Sequence, residues 1–283
     1  QFHANFAYRP SVYMAAAKKD MHKLKKEYIA RRKAGFALEW LNQSELENRF
    51  GLKAPAAICS KLGGEIDPYT LTQHIFHYLH SNGVKIYANT AINCDDKNGQ
   101  TLKTSSGHRI KAKRAIFASG YKSQKYLNEK VVKLKSTFAF VTPPLPKQNL
   151  WPQKALWWDS ADPYIYARTT ADGRLMVGGG DMPFHKEWLR KLFHQRQIHS
   201  VLQKARQYYP NIGWQVDAGW NGVFGETKDG LAYIGEPSEW KNADFALGFG
   251  GNGITYSQLA ADYLVQKFNK EQVPNLSLFR FGR

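Results

Sequence analysis

The chain has 283 residues, of which 43% are hydrophobic and 14% aromatic, a composition that excludes a disordered or fibrous protein and predicts about two folded domains. No stretch approaches the ~18 consecutive apolar residues of a membrane span. Lys and Arg number 40 against 23 Asp and Glu, and the net charge of +17 leaves nucleic acid or an anionic ligand open as partners. Two cysteines, Cys59 and Cys94, are too few for a disulfide framework, which predicts a reducing, cytoplasmic setting.

The first elements are rich in basic residues. Apolar residues recur at helical spacing through KKDMHKLKKEYIARRK at 18–33, and the pattern predicts one helix over 11–34 with a solvated basic face. No helix-turn-helix or RNA-binding pattern accompanies it, so the sequence disfavours nucleic acid. A shorter helix is predicted over 42–50, with Ser44 as N-cap and Glu47 completing a capping box.

A longer helix is predicted next. We expect a turn at Gly63–Gly64, a helix that begins at Asp67–Pro68, and a stop at Asn82–Gly83. VKIYA at 84–88 then predicts a strand. The buried face of the helix is predicted to consist of Leu71, Ile75, Tyr78 and Leu79. Its three histidines lack the i,i+4 spacing of zinc ligands, and no metal site is predicted.

Strands dominate the rest of the chain. RAIFASG at 114–120 predicts a buried strand whose carboxyl end meets another group at close range. The further predictions are a strand over 136–142, a Pro-rich connection over 142–153, a hairpin within 157–181, and a helix over 186–208.

The last element, ADFALGFGGNGITYSQLAADYLVQ at 243–266, predicts a strand, a glycine-rich turn and a helix. Its glycines Gly248, Gly250 and Gly253 have the spacing of a dinucleotide fingerprint, but no second strand with a terminal acid comes after them. The turn nevertheless offers backbone N–H groups and the positive end of a helix dipole to an electron-rich group. An ordinary strand–helix turn, with glycines for close packing, is the alternative.

Several stretches resemble, in order, the D-amino-acid oxidase, glycine oxidase and sarcosine oxidase family of FAD-dependent oxidoreductases. They are GGEIDPYTLTQHIFHYLHSNGVKIYANTAI, KRAIFASGYKSQKYL, YIYARTTADGRLMVGG, and the closing pair GETKDGLAYIGE and FALGFGGNGITYSQLAADYL. The family begins with a G-x-G-x-x-G βαβ unit, whereas Gln1 begins a stretch that resembles the segment immediately after that unit. The resemblance therefore implies a member without its first nucleotide-binding unit, in which FAD binding would be weakened.

The resemblance implies a mixed α/β (α+β) protein, in which an incomplete FAD/NAD(P)-binding Rossmann-like domain is interleaved with a substrate domain on a mixed, largely antiparallel sheet. We expect residues 1–62 and 136–218 to form the substrate domain. Residues 63–135 and 219–283 are expected to form the FAD-binding domain.

The family pattern also implies site residues. The cofactor would be non-covalent FAD, because neither cysteine lies where sarcosine oxidase relatives attach their flavin. On the substrate side, Tyr164 matches a substrate-facing tyrosine, Arg168 is a second candidate, and Phe224 stands where amino-acid oxidases carry a carboxylate-binding arginine. Packing or a neighbouring carboxylate could instead explain Tyr164 and Arg168. The cofactor-binding candidates are Ala91, Ala118, Ser119, Gly120, Gly222, Gly250, Gly251, Asn252, Gly253, Ile254 and Thr255.

Three functions are hypotheses at this point. The first is oxidation of a C–N bond of an amine or amino acid by hydride transfer to FAD. The second is a dehydrogenase of a hydroxy acid or polyol phosphate on the same fold, which the excess of basic residues leaves open. The third is a basic, non-catalytic binding module that has lost the cofactor. The expected partner under the first hypothesis is a small-molecule amine or amino acid.

Overall fold

A computed structural model describes residues 4–94, 97–184, 186–272 and 274–283, so Gln1 lies outside the described residues. The strands are β1 (Ala7–Met14), β2 (Leu38–Asn42), β3 (Ala56–Glu65), β4 (Ile92–Asn93), β5 (Thr101–Thr104), β6 (Arg109–Lys111), β7 (Ala115–Phe117), β8 (Lys133–Val141), β9 (Leu156–Asp159), β10 (Ile165–Thr169), β11 (Leu175–Pro183), β12 (Ala218–Glu226), β13 (Tyr233–Gly235) and β14 (Ala243–Leu247). The α-helices are α1 (Met21–Lys33), α2 (Gln43–Phe50), α3 (Pro68–Ser81), α4 (Glu187–Tyr208) and α5 (Gly253–Phe268).

The chain divides into two compact units. Unit 1 comprises Gln1–His74 and Ser136–Gly222, and unit 2 comprises Ile75–Lys135 and Val223–Arg283. Each unit is therefore built from two separate stretches of sequence. The mixed α/β architecture predicted from the sequence is confirmed.

Unit 1 contributes most of an eight-stranded sheet of order β12-β8-β11-β10-β9-β1-β3-β2. Its pairings are antiparallel between β10 and β11, β1 and β3, and β2 and β3, whereas β1 and β9 run parallel. One face of the sheet carries a continuous core in which Phe138, Phe140, Ile165 and Val177 are fully buried. Helix α4 covers this face, since Ile198 and its neighbours belong to the same core.

The start of the chain corrects the predicted helix over 11–34. Residues 11–14 instead end β1, where Val12 and Met14 alternate with more exposed neighbours and enter the core. The period of two belongs to a strand paired on both edges, and the helical period begins only at Met21. A short 3₁₀ turn separates the two, with the Asp20 carboxylate accepting a hydrogen bond from Ala17 N–H at 3.0 Å.

Two further predictions in unit 1 differ from the structure in detail. Helix α2 is capped by Asn42, which accepts from Glu45 N–H at 3.0 Å, rather than by Ser44. Gly63 and Gly64 lie within β3 rather than in a turn. A Cβ at Gly63 would stand 2.6 Å from the Arg9 carbonyl oxygen, so this glycine permits close approach of β1 to β3.

Unit 2 contains a three-stranded sheet of order β13-β14-β7 and a small antiparallel sheet of order β4-β5-β6. In the first, β14 pairs with β13 antiparallel and with β7 parallel. Two clusters of buried side chains flank it, one around Phe245 and Trp240 and the other around Ile234 and Leu264 of α5. The sheet is anchored at Asp244, which is fully buried and pairs with Arg114 and with Lys267 at 2.6 Å.

Apolar residues of helix α3, which spans the division between the units, and of unit 2 contradict several predictions. Helix α3 begins at Pro68, with Thr70 N–H donating to the predicted cap Asp67 at 3.0 Å, but no described residue of α3 is buried. Of the expected buried face, Ile75 is 39% and Tyr78 54% exposed. The segment 84–88 forms no strand, since none of its residues pairs with a described strand. Strand β7 forms as predicted, but Ile116 is 50% exposed, so the strand is buried on one face only.

No helix within the described part of the chain is both long and apolar enough to span a membrane.

Candidate functional site

In unit 2, two parallel strands end at the same edge of the three-stranded sheet. Ala115 pairs with Ala243 and Phe117 with Phe245, so β7 and β14 run in register and in one direction. The residues that come after both strands leave the sheet side by side, where open α/β sheets bind ligands. Nine predicted cofactor residues lie in these two segments: Ala118, Ser119, Gly120, Gly250, Gly251, Asn252, Gly253, Ile254 and Thr255.

The glycine-rich turn after β14 has a defined conformation. Gly248 and Gly250 have φ values of 77° and 54°, which favour glycine. Gly250 N–H donates to the Gly225 carbonyl oxygen at 3.0 Å, and Asn252 N–H donates to the Phe249 carbonyl oxygen at 2.9 Å. The turn is therefore held from both sides before α5 begins.

Gly253, the first residue of α5, differs from Gly248 and Gly250 in its backbone conformation. Its φ lies outside the left-handed region, and a Cβ built on it would meet no atom within 4 Å. Neither backbone conformation nor packing within the chain therefore requires glycine at this position. A small residue that faces open space at a helix start is what close approach of a ligand to the backbone would require.

The N-terminus of α5 offers hydrogen-bond donors. The Asn252 side chain makes no capping hydrogen bond, and the first-turn N–H groups of Gly253, Ile254 and Thr255 have no acceptor within the helix. Together with the helix dipole they favour negative charge in front of them. The Tyr256 hydroxyl, one residue on, donates to the Gly230 carbonyl oxygen at 2.9 Å and fixes the first turn.

The segment after β7 forms the other part of the edge. Gly120 has a φ of 60°, faces open space, and begins a 3₁₀ helix, Gly120–Tyr126. The Ser119 hydroxyl lies 2.8 Å from the hydroxyl of buried Ser123, which orients it locally. The edge thus presents a small hydroxyl and three glycines, Gly120, Gly250 and Gly253, that leave space in front of the backbone.

Two other candidates of unit 2 lie outside these segments. Ala91 directly precedes β4, and its carbonyl oxygen accepts from Ser105 N–H at 2.9 Å. Phe224 lies on β12 and is half-buried. Its neighbour Gly225, which sequence reasoning missed, supports the glycine-rich turn through its carbonyl, and a Cβ there would meet Val132 at 2.2 Å. The signal for Gly225 was a glycine inside a strand, GVFGE.

In unit 1, the substrate-side candidates lie on the sheet face opposite α4. Along β10, Ile165, Ala167 and Thr169 are buried while Tyr166 and Arg168 point away from the core. By the same alternation Tyr164 belongs to this outer face, and its ring centroid lies 6.0 Å from that of Tyr166. Gly222, a predicted cofactor contact, lies beside Thr137 of β8, since a Cβ on Gly222 would lie 3.6 Å from Thr137 Cγ2.

Arg168 lies near a carboxylate of unit 1. It helps to hold the pKa of Asp67 below its usual value, although hydrogen bonds from Thr70 are the larger cause. The alternative that Arg168 is matched by a neighbouring carboxylate is thus consistent with the structure.

Sequence reasoning missed Tyr166, Gly178 and Thr137, which make contact on this outer face. Tyr166 stands directly opposite Gly178 in the β10–β11 ladder, and its hydroxyl hydrogen-bonds with that of Thr137 on β8. The available signal was the i,i+2 spacing of Tyr166 from Tyr164, together with the unusual GGG run of β11.

Other features of the surface lie elsewhere. A shallow cavity of about 660 Å³ in unit 1 is lined by Tyr28, Trp40, Arg49 and neighbouring residues, away from every predicted site residue. Within the described residues no group of three or more His, Cys, Asp or Glu side chains is arranged to hold a metal ion.

The model of a protein family described as "DAO: FAD dependent oxidoreductase" matches residues 1–267. Among curated proteins, a glycine oxidase of Bacillus subtilis (strain 168) is 29% identical over 197 residues, which are 67% of this chain and 50% of that protein. A glycine oxidase of Geobacillus kaustophilus (strain HTA426) is 25% identical over 291 residues, 95% of this chain and 73% of that protein. The matched region thus spans about half of the first relative.

Solved structures show the same fold. The crystal structure of glycine oxidase from Geobacillus kaustophilus superimposes with a TM-score of 0.81 at 21% sequence identity, covering 100% of this chain and 76% of that one. At this identity the similarity establishes the fold and not the chemistry of the site.

Proposed function

The chain belongs to the DAO family of FAD-dependent oxidoreductases, and we propose that it serves to oxidise a C–N bond of a small amine or amino acid with non-covalently bound FAD. The observation that carries this proposal is Gly253, a glycine that the fold itself does not require, at the start of a helix beside two parallel strand ends. We assign most of the cofactor binding to unit 2 and substrate binding to the outer sheet face of unit 1. Tyr164 and Arg168 of unit 1 and Phe224 of unit 2 are retained as proposed substrate contacts, and Gly222 is retained as a proposed cofactor contact.

The residues present fit a flavin dinucleotide. Gly120, Gly250 and Gly253 leave space for a planar or phosphate-bearing group to approach the backbone, and the first-turn N–H groups of α5 favour electron-rich oxygen or nitrogen atoms. Neither cysteine lies in the two segments. Cys59 is buried in β3 of unit 1, where burial raises the pKa of its thiol, and Cys94 lies after β4 with its Sγ 3.7 Å from the Thr101 carbonyl oxygen. The cysteines thus support non-covalent binding.

When bound, FAD supplies the hydride acceptor for oxidation of the substrate. The role of the protein chain is to position the reacting groups and to stabilise charge. The N-terminus of α5 places partial positive charge at the edge of the sheet, where it would stabilise negative charge that develops during reaction. Asn252 and Tyr256 hold that turn through the backbone and the hydroxyl contacts described above.

Titration of the purified chain with FAD, followed by flavin fluorescence, tests the cofactor. We expect Gly253→Ala to weaken FAD binding by about tenfold, a loss of ~1.4 kcal/mol, because its methyl group occupies the space of the ligand. The free energy of unfolding should stay the same or rise by about 0.4–1 kcal/mol, since alanine restricts the unfolded chain. Gly213→Ala is the matched control, because Gly213 also has an ordinary φ and open space around it.

An absence of FAD binding up to about 100 µM would overturn the cofactor assignment. Equal FAD affinity of the Gly253→Ala and Gly213→Ala variants would overturn the position of the site. Anaerobic addition of glycine, sarcosine or benzylamine to the flavin-loaded protein tests the reaction, with loss of flavin absorbance as the expected result. Loss of absorbance with lactate or glycerol 3-phosphate alone would replace C–N oxidation by oxidation of a hydroxyl group.

A further inference from the structure

The outer face of the unit 1 sheet contains a tyrosine that crosses a neighbouring strand. Tyr166 is on β10, and the sheet order places β11 between β10 and β8. A Cβ built at Gly178 of β11 would lie 2.5 Å from Cζ and 2.5 Å from Oη of Tyr166. The far end of the ring therefore lies directly over Gly178, and the hydroxyl reaches Thr137 on β8.

Gly178 is the residue that permits this arrangement. Its φ lies outside the left-handed region, so backbone conformation does not require glycine there. Contact distances near 2.5 Å are too short for any Cβ, and every other residue at 178 would displace the ring. Gly179, next to it, contrasts with a φ of 126° and needs glycine for conformational reasons.

The surroundings of the Tyr166 hydroxyl favour a cation. The ring of Tyr164 lies 6.0 Å away at an interplanar angle of 39°, which leaves two aromatic faces close together. Burial is the main cause that raises the pKa of Tyr166, and the charge of the Asp181 carboxylate raises it further. The hydroxyl is thus protonated at neutral pH, and the residue as a whole is 41% exposed. Aromatic faces with a nearby carboxylate attract an ammonium group.

Arg168 is two residues further along β10. The Asp67 carboxylate lies close enough to feel the charge of Arg168, although hydrogen bonds from Thr70 act on that carboxylate more strongly. At Tyr166 the charge that acts on the side chain is that of the Asp181 carboxylate.

We propose that Tyr166 is a specificity-determining residue, which binds the ammonium group of a small amine together with the Tyr164 ring and is held in place by Gly178. The site thereby selects cationic amines without a carboxylate over amino acids, whose carboxylate Asp181 repels. This inference rests on the proposed function, because it assumes that the outer face of unit 1 receives the substrate.

Calorimetric titration of the FAD-supplemented protein with benzylamine hydrochloride and with phenylglycine tests the selection. The two probes share a ring and an amine and differ in the carboxylate. We expect benzylammonium to bind at least about tenfold more tightly than phenylglycine, and Tyr166→Phe to weaken benzylammonium binding by about tenfold, since a hydrogen bond to a charged group is lost. Tyr8→Phe, at a tyrosine of β1 that is 71% exposed, is the matched control.

A double-mutant cycle tests the role of Gly178. Gly178→Ala should weaken benzylammonium binding and lower the melting temperature in the wild-type background, and should have little effect when Tyr166 is already Ala. Gly213→Ala should be neutral in both backgrounds. Independent, additive effects of the two substitutions would overturn the steric relation between Gly178 and Tyr166.

Unchanged benzylammonium affinity in Tyr166→Phe would overturn the proposed contact, and equal affinity for phenylglycine would overturn the selection of amines. Both results are distinct from a failure of the proposed function. That failure would appear as missing FAD binding, which does not depend on Tyr166, or as missing flavin reduction by every amine in both the wild type and Tyr166→Phe.

Discussion

The main sheets of the two units differ in how completely their apolar side chains are covered. In unit 1, eight strands pair in one sheet and α4 covers a face on which Phe138, Phe140 and Val177 are fully buried. In unit 2, the sheet that leads to the glycine-rich turn has three strands, and Ile116 of its edge strand β7 is 50% exposed. The same kind of apolar sequence is therefore core in one unit and surface in the other.

The difference shows that hydrophobic pattern alone does not decide burial. Residues 84–88 of unit 2 have the composition of a strand, yet they remain without a ladder partner among the described strands, and Tyr87 is 70% exposed. Val12 and Met14 of unit 1 have no stronger pattern, but β1 is paired on both edges and they are fully buried. Burial depends on the partner strands and helices that surround a segment.

The largest effect is expected in the unit 1 core. Phe138→Ala should lower the free energy of unfolding by about 4 kcal/mol, because it removes a fully buried ring and leaves a cavity. Phe36→Ala, at a ring that is 54% exposed, is the control and should change it by less than about 0.5 kcal/mol. Urea unfolding combined with hydrogen exchange of peptides from each unit measures both. A cost for Phe138→Ala no larger than that of the control would contradict the fully covered core.

The next effect concerns the buried charge of unit 2. Asp244→Asn should lower the free energy of unfolding by about 3 kcal/mol, because Arg114 and Lys267 lose a carboxylate that is shielded from water. Asp172→Asn in unit 1, at a carboxylate whose side chain is 59% exposed, should cost less than about 1 kcal/mol. Hydrogen exchange should localise the loss of protection to β7, β14 and the end of α5. Loss spread equally over unit 1 would show that the two units unfold as one.

Where unit 2 exposes apolar side chains, we expect substitutions to change stability little but to change dye binding by the surface. Replacing Phe76 and Ile116 by Ser and Thr should reduce binding of the dye ANS, since both side chains are about half exposed, at 46% and 50%. Unfolding free energy should change by less than about 1 kcal/mol in total. Leu192→Ser on α4 is the control, because Leu192 is 71% exposed in unit 1. Equal dye binding by wild type and the unit 2 variant would contradict the contrast.

Local signals in the sequence proved reliable where the structure depends on neighbours along the chain. Asp67 and Pro68 predicted the start of α3, and the Ala171–Gly173 turn predicted the hairpin of β10 and β11. The strand before Ala118 and the strand, glycine-rich turn and helix of 243–266 were also predicted, whereas the parallel pairing of β7 with β14 was not. Their chemistry stays a prediction until the FAD titration is done.

The remaining features depend on contacts between distant residues. The Tyr166 ring can lie over Gly178 only in the observed register of β10 against β11. The contact of its hydroxyl with Thr137 also requires β8 on the far side of β11. The exposure of α3 depends on which elements pack on it, whereas its apolar spacing is only a periodicity. A sequence pattern predicts which face is apolar, but not whether another element covers that face.

The smallest expected effect lies near the C-terminal residues of unit 2. Arg283 Nε and a terminal guanidinium nitrogen donate to the two Asp229 oxygens at 2.8 and 3.1 Å, and this pairing is the main cause that holds the pKa of Asp229 well below its usual value. The Asp229 side chain is 43% exposed, so Asp229→Asn should cost only about 0.5 kcal/mol at neutral pH.

The pH dependence of this cost has a defined sign. A carboxyl group whose pKa is lowered by folding adds stability above the pKa of the unfolded chain, about 4, and that stability is lost as pH falls toward the lower, folded value. The difference between wild type and Asp229→Asn in urea unfolding should therefore be constant from about pH 7 to 5 and shrink below about pH 4. The control is Asp262→Asn, at an exposed carboxylate that accepts a hydrogen bond from Gln258. In this variant the unfolding free energy should depend on acid pH as it does in the wild type. A difference that grows on acidification would show that the Asp229–Arg283 pair does not form in solution.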